Sequence, residues 1–421
     1  SGRYASGSYN TFLGTSAGKG GTTSAPYSSG EKNTAVGYQA LDAFTTGYEN
    51  TAVGEQALSG LTTGYENVGI GTEAAKYLST GVWNVSIGMN SGPAAMGSRI
   101  VAIGELAGRF NKGLGNVHIG YRAGFQVSGS YNVTIGMYAG QGGTSSAPYS
   151  TGTHNVAVGY EALKGFTTGQ TNVAIGGYAG ASVSSGQKNV AIGYTSLNYL
   201  TDGTDSVAVG YHAGYYGTGS YNTFVGSQAG KGGTTSAPYS SGQYNVAVGA
   251  NALDGFTTGG NNIAIGYQAG SALTTADHNV MVGIQAAEYT STGGYSVIIG
   301  KDAGRQYYTA NQNVLVGYSA GEYIGIGSNS AQHTTAIGMN AGKYATGSNN
   351  TFVGSYAGYG GTTGAPYSSG ENNVAMGFEA LKVFTTGGHN VAIGYRSGLD
   401  LTTGNYNTFL GRESGFEVTT N

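Results

Sequence analysis

Apolar and polar positions recur along this chain in one order: Asn, a β-branched residue, a small or apolar residue, an aliphatic residue and Gly, with Ala three places on. A few variable residues and Thr-Thr-Gly follow before the next Asn, and clear copies start at Asn50, Asn67, Asn155, Asn172, Asn262 and Asn390. Fixed-period self-similarity marks a stacked repeat whose single unit is too short to bury a core alone. With the Gly as marker, the series runs from Gly14, Gly37 and Gly54 to Gly377, Gly394 and Gly411, about 23 coils of mostly 16 or 17 residues. The pattern predicts one short strand per coil. The strands stack into an all-β, parallel β-solenoid (a β-roll) that fills residues 1–421 as one continuous fibre segment. At a strand spacing of about 4.8 Å, the stack is a rod roughly 110 Å long.

Each column of the repeat has a physical reading. The residue after the Asn is Val, Ile or Thr, and the residue two places on is aliphatic, as in Val68 and Ile70. Period-2 spacing puts these two on one face of the strand, which reads as the narrow core. The residue between them then points outward. That column is mostly apolar: Phe12, Ala35, Ala52, Ala157, Ala174, Phe224, Ala264, Met281, Ile298, Phe352 and Phe409. An outward apolar stripe of this length exceeds what monomers usually expose, so it predicts a parallel homo-oligomer. The alternative is an Ala-rich face left in water.

The marker Gly predicts a corner with positive φ or close backbone approach. The Ala column, with Ser91, Ser196, Ser397 and Ser414 as substitutes, predicts closely spaced walls. The Asn column predicts a ladder of side-chain amides, interrupted by Ile100, Ser206, Ser296 and Thr334. Where Leu replaces a second Gly, Phe follows three later (Leu41 and Phe44, Leu163 and Phe166, Leu253 and Phe256, Leu381 and Phe384), a spacing that suits one turn of helix folded onto the core.

Composition agrees with a fibre rather than an ordinary domain. Charged residues are 9%, against roughly 25% on average, and there are 80 glycines with no Gly-X-Y period. The net charge of −3 leaves no basic stripe for nucleic acid. No apolar run is long enough to insert in a membrane, and there is no Cys for disulfides or thiolate metal sites. Both ends fall inside the repeat, so the chain reads as the middle of a longer polypeptide.

The Asn-Val-Ala-Ile-Gly coils at 155–162, 172–179 and 390–397 resemble the β-roll heads of trimeric autotransporter adhesins. The Asn-Thr-Phe-(Leu or Val)-Gly units at 10–14, 222–226 and 350–354 resemble the repeat regions of bacteriophage tail fibres. The resemblance covers nearly the whole chain. It implies a left-handed roll, a homotrimer, an extracellular location on a virion or bacterial surface, and attachment to a cell. The coils here are longer than in the adhesin heads and carry inserted loops, and there is no heptad stalk.

Four coils are lengthened by insertions near 19–30, 141–152, 231–242 and 359–370, each with a Pro-Tyr corner: Pro26 and Tyr27, Pro148 and Tyr149, Pro238 and Tyr239, Pro366 and Tyr367. Loops on a rigid scaffold commonly carry binding, and a Tyr flanked by hydroxyls suits a glycan or protein receptor. The alternative is that each loop packs across a cleft or across the trimer. The residue before each Asn (Tyr9, Glu49, Trp83, Tyr131, His154, Lys188, Tyr244, His389, Tyr406) varies freely and reads as solvent-facing.

Signals for catalysis are poor. His118, His154, His212, His278, His333 and His389 lack metal-ligand spacing, and the carboxylates stand singly on variable columns. The chain reads as a non-enzyme with no cofactor. The leading reading is an adhesive segment of a trimeric fibre. A passive spacer with specificity elsewhere, and an ice-binding solenoid, are the alternatives.

Overall fold

The computed structural model describes residues 1–420 except 144–148, 235–238, 325, 327–330 and 362–366. The chain divides into two compact units, Ser1–Ser206 and Val207–Asn421. Each is an all-parallel β-solenoid. Among the described residues the first contains eleven three-residue strands, from β1 (Thr11–Leu13) to β11 (Val190–Ile192), and the second contains twelve, from β12 (Val207–Val209) to β23 (Thr408–Leu410). Strands pair in sequence order within each unit, like position on like position: Thr34 with Thr51, Val173 with Val190, Val246 with Ile263. The lengthened coils keep this register, with Thr11 opposite Thr34 and Thr351 opposite Val374.

Two interactions set the stacking. The marker glycines lie directly on one another: Gly37 has φ +135°, and a Cβ there would stand 2.5 Å from the Gly54 carbonyl oxygen. No L-side chain fits either the dihedral or the space. Next to them runs the amide ladder. Asn67 Nδ2 donates to Asn50 Oδ1 at 3.1 Å and to the Gly81 carbonyl at 2.9 Å, while Asn67 Oδ1 accepts from the backbone N–H and Nδ2 of Asn84 at 3.1 and 2.9 Å. These asparagines are buried, so the ladder satisfies groups that would otherwise be costly to enclose. The first Thr of Thr-Thr-Gly adds an outer rung, as Thr45 Oγ1 donates to the Thr62 carbonyl at 3.2 Å and Thr62 Oγ1 to Ser79 at 3.0 Å.

The strand faces are the reverse of the expectation. The middle residue points into the coil: Ala35, Ala52, Ala157, Ala174, Ala264, Met281, Ile298 and Phe352 are fully buried and Phe224 is 1% exposed, while Phe12 and Phe409, in the first and last strands, are half-buried. The β-branched residues on either side face outward, as with Ile70 and Ile175, which are 39% and 40% exposed. Alternation establishes that a strand has two faces but not which one is inside. The interior has room for only one side chain per strand because other columns also fill it. The Ala column (Ala17, Ala40, Ala57) and the turn column (Phe44, Leu61, Leu78) are both buried there.

The middle residue also shares its space with the corner four places after the marker. Where the strand residue is Phe, the corner is Gly, and a Cβ on Gly18, Gly230 or Gly358 would stand 2.2 Å from the ring of Phe12, Phe224 or Phe352. Leu stands at the corner only where the strand residue is Ala, as in Ala35 with Leu41, Ala157 with Leu163, Ala247 with Leu253 and Ala375 with Leu381, although other Ala strands, such as Ala174 with Gly180, keep Gly there.

The Leu-and-Phe spacing does bury both side chains, but no helix is present among the described residues. Leu41 has φ 51° and Leu253 φ 50°, left-handed values that no α or 3₁₀ turn uses. The cost, about 1 kcal/mol per residue, is offset by bonds to the next coil, such as Leu58 N–H to the Ala74 carbonyl at 2.9 Å.

Two outcomes test this packing. Gly230→Leu alone should destabilise the second unit strongly, and Phe224→Ala/Gly230→Leu should recover most of the loss in urea denaturation. Equal stability of the single and double variants would refute the shared volume. Asn67→Ala, which leaves the Gly81 carbonyl and the Asn84 N–H without partners, should cost about 3 kcal/mol locally. Hydrogen exchange at the Asn84 amide should then quicken roughly a hundredfold.

Candidate functional site

Because each strand exposes its two β-branched positions, both units carry a continuous apolar sheet face. In the first unit it is built from Thr11, Thr34, Thr51 and Val68 through Val190 in one column and Leu13, Val36, Val53 and Ile70 through Ile192 in the other. The second unit repeats it, from Val207 to Thr408 and from Val209 to Leu410. Neither column contains a charged residue. The oligomer stripe expected on the middle residues therefore lies inside the coil, and the unpartnered apolar surface is the opposite face of the same strands.

Of the Pro-Tyr corners, Pro26, Tyr27, Tyr149, Tyr239 and Tyr367 are described, whereas Pro148, Pro238 and Pro366 lie outside the described residues. The base of each loop is tied to the scaffold. Ser28 and Ser240 form parallel bridges to Ala5 and Gly217, Thr22 and Thr234 hydroxyls meet Ser28 and Ser240 at 3.0 and 2.9 Å, and Gly21 and Gly233 donate to the Phe44 and Phe256 carbonyls at 2.8 and 2.7 Å. Each Tyr ring then lies nearly parallel to an aromatic ring outside its own loop. Tyr27 lies on Tyr4 at 6.1 Å, Tyr149 on Phe110 at 5.7 Å, Tyr239 on Tyr216 at 5.9 Å, and Tyr367 on Tyr344 and Tyr323 at 6.0 and 5.4 Å. One face of every loop tyrosine is thus occupied by its own scaffold. Tyr27 remains nearly half exposed.

The column before the Asn faces solvent. Tyr9, Tyr131, Tyr244 and Tyr406 are exposed, and neighbours in the column stack: Tyr131 on His154 at 5.0 Å, Tyr221 on Tyr244 at 4.9 Å, His389 on Tyr406 at 4.8 Å. These residues hold left-handed φ, as in Tyr131 (60°) and His154 (59°), whose backbone N–H groups reach the Leu114 and Ser130 carbonyls of the preceding coil. A composition rule that reserves this conformation for Gly and Asn does not find them.

Two sets of buried polar groups repair the amide ladder. Ile100 interrupts the amide ladder, and Asn111, in the mostly apolar turn column, takes over: its Oδ1 accepts from Asn116 Nδ2 at 3.2 Å and from the Gly113 N–H at 2.7 Å. Asn111 Nδ2 meets His118 Nε2 at 2.6 Å, and His118 Nδ1 meets Thr134 Oγ1 at 2.8 Å. His118 is fully buried, and enclosure lowers its pKa from 6.5 to about 3, so the ring is neutral near pH 7. Where Ser296 shortens the ladder, the Tyr307 hydroxyl fills the gap, bonded to Ser296 and accepting from Asn313 Nδ2 at 2.9 Å; burial pushes its pKa up to about 12. Both repairs were invisible to spacing arguments, yet two of the four interruptions, Ile100 and Ser296, coincide with a polar residue eleven places on, whereas Ser206 and Thr334 are followed there by Gly217 and Ala345.

Among the described residues, no three His, Cys, Asp or Glu side chains converge in a way that could hold a metal ion, and no helix is long and apolar enough to cross a membrane. The chain matches no protein-family model and no curated protein.

The depressed pKa of His118 has a defined pH consequence. The unfolded chain takes up a proton near 6.5 that the folded chain refuses until about pH 3. Stability of the first unit should therefore be full above about pH 6.5 and decline as the pH falls from there toward 3. His118→Phe, which places in this column the residue found at Phe12 and Phe224, should flatten that decline in thermal melts across the range. An unchanged pH slope would show that other groups cause it.

Proposed function

We propose that the chain is an adhesive, structural segment of an extracellular fibre in which three parallel copies bury their apolar sheet faces around a common axis. This is the arrangement implied by its resemblance to trimeric autotransporter adhesin heads and phage tail-fibre repeats. The observation that carries the reading is the uncharged outward face. Two side chains from each of eleven strands face out in the first unit alone, comparable to the 20–30 residues per side of a stable interface. A face of β-branched side chains held by the strand register loses little side-chain entropy on burial. A three-fold axis lets identical stripes meet without leaving an open, growing surface. The left-handed course of the roll and its place on a virion or bacterial surface belong to the same reading. The loops lie on other columns than the buried one and stay available for a receptor.

Light scattering on a sizing column should give a mass of three chains. Ile70→Lys/Ile265→Lys, one charge on the face of each unit, should give single chains with an unchanged far-UV spectrum. A monodisperse single chain in the unaltered protein would overturn the reading. Thermal hysteresis in that single chain would turn the regular, water-facing Val/Thr array into an ice-binding surface.

A further inference from the structure

The outward face of each coil has two edges, the residue before the Asn and the residue after the marker Gly. In the single chain both edges stand in solvent. Tyr9, Tyr244 and Tyr406 are exposed on the first, and Tyr38, Tyr267 and Tyr318 on the second. Phe, Trp or Tyr occupies the first edge in seven coils and the second edge in nine, yet no coil carries one at both. The order reverses between adjacent coils: Tyr244 goes with Ala250 in one and Asn261 with Tyr267 in the next. The rule is therefore not one type of coil copied many times.

The exclusion does not arise within one chain. The two edge residues are six places apart with the strand between them, roughly 15–20 Å at about 3.3 Å per residue. Rings that touch along an edge, such as Tyr221 and Tyr244 at 4.9 Å, belong to different coils. Between the edges, Ile263 and Ile265 are 38% and 41% exposed, so the rings do not close over the strand.

In an assembly the exclusion has a cause. When parallel copies turn their faces to a common axis, rotation brings each coil beside the same coil of the next copy, at the same height. The second edge of one copy then meets the first edge of its neighbour. A gap packed to interior density takes one phenol or indole per coil. The fullest combinations add an imidazole, as His154 to Tyr160, or a flexible thioether, as Met137 to Tyr131. Charge follows the same rule as size. Arg99 and Glu105 are the two exposed edges of one coil, and Arg99 lies over the Trp83 ring at 4.8 Å. Glu49 and Glu55 are like charges on the edges of another, and there Lys32 pairs with Glu49 at 2.8 Å.

We propose that the two edges are the mating halves of a seam between parallel copies of this chain. In it the residue before the Asn on one copy packs, coil by coil, against the residue after the marker Gly on the next. The buried face supplies the area, and the seam supplies the register. A slip of one coil sets Tyr244 against Tyr267 and Tyr295 against Tyr318; a slip the other way sets Tyr131 against Tyr121 and Tyr221 against Tyr211. Each is a clash that the matched register avoids. The Val and Ile columns cannot make that choice, because they look alike at every step. The proposal rests on the reading that parallel copies bury this face, and it holds for any number of copies about the axis.

The chain has no Cys, so introduced pairs report the seam directly. Arg99→Cys/Glu105→Cys, treated with a short bismaleimide, should run as linked chains on a denaturing gel. Arg99→Cys alone should not, because the first edge does not meet itself. Neither should Arg99→Cys/Tyr160→Cys, whose sites are three coils apart. Separately, Ala250→Tyr should raise the concentration below which the assembly falls apart by about tenfold or more. Tyr244→Ala/Ala250→Tyr should restore the parent value, both variants keeping the parent far-UV spectrum. No linkage in the first pair, equal linkage in the single or displaced variant, or parental assembly by Ala250→Tyr overturns the seam. Linked chains in a two-chain particle sink the three-chain fibre and leave the seam standing; a three-chain particle without linkage does the reverse.

Discussion

Direct backbone contact between marker glycines is the constraint on which the rest of the fold depends. Because each Gly Cα lies against the Gly carbonyl of the following coil, the coils cannot slip or tilt at that corner. The Asn residue four places earlier is fixed with it, and its amide bonds both to the coil before and to the coil after. A shift by one residue would put a side chain where no Cβ fits and would break every amide rung together. Register is therefore set by exclusion on one side of the strand and by hydrogen bonding on the other, and hydrophobicity has little part in it.

The narrow interior follows from that tight stacking. A cavity that admits one strand side chain, one Ala and one turn residue per coil leaves large β-branched residues no place but the outside. The same limit explains why Phe and Leu exchange between strand and corner. It also explains how polar residues enter the core without harm: Asn111, His118 and Tyr307 sit where a ladder rung is missing, so each brings hydrogen-bonding capacity to a place that lacks it. A buried polar network of this kind is tolerable because its members satisfy one another.

Much of this was legible in the sequence. The repeat, the strand in every coil, the glycine corner and the amide ladder follow from the periodic columns of Asn, Val, Ile and Gly. The inside–outside assignment of the strand did not follow, because bulk and β-branching at Val68 and Ile70 suggest a core to any rule that ranks residues by hydrophobicity. The deciding information lay in a different column. The pairing of Phe12 with Gly18 and of Ala35 with Leu41 shows that the middle residue and the corner compete for one volume, which only an inward middle residue can do. The left-handed residues were hidden for another reason. Glu49, Leu58 and Tyr131 carry no local preference for that conformation and are held in it by the coils above and below. As for the surface, the sequence placed the four Pro-Tyr corners on loops but could not reveal that their rings rest on Tyr4, Phe110, Tyr216 and Tyr344.

The lengthened coils keep the strand register of their neighbours, and this makes the solenoid a ruler. Within the first unit, seven coil steps separate the insertion after Gly14 from the insertion after Gly136, and within the second unit seven separate those after Gly226 and Gly354. Since every step advances by one strand spacing, the points where the two insertions of a unit enter the sequence of coils stand roughly 34 Å apart along it, at about 4.8 Å per step. That distance is graduated. It changes only by whole coils, and loop length or loop sequence leaves it untouched. Gene duplication that adds or removes one repeat therefore resets the spacing between insertion points by a fixed increment while every other contact in the stack is copied intact.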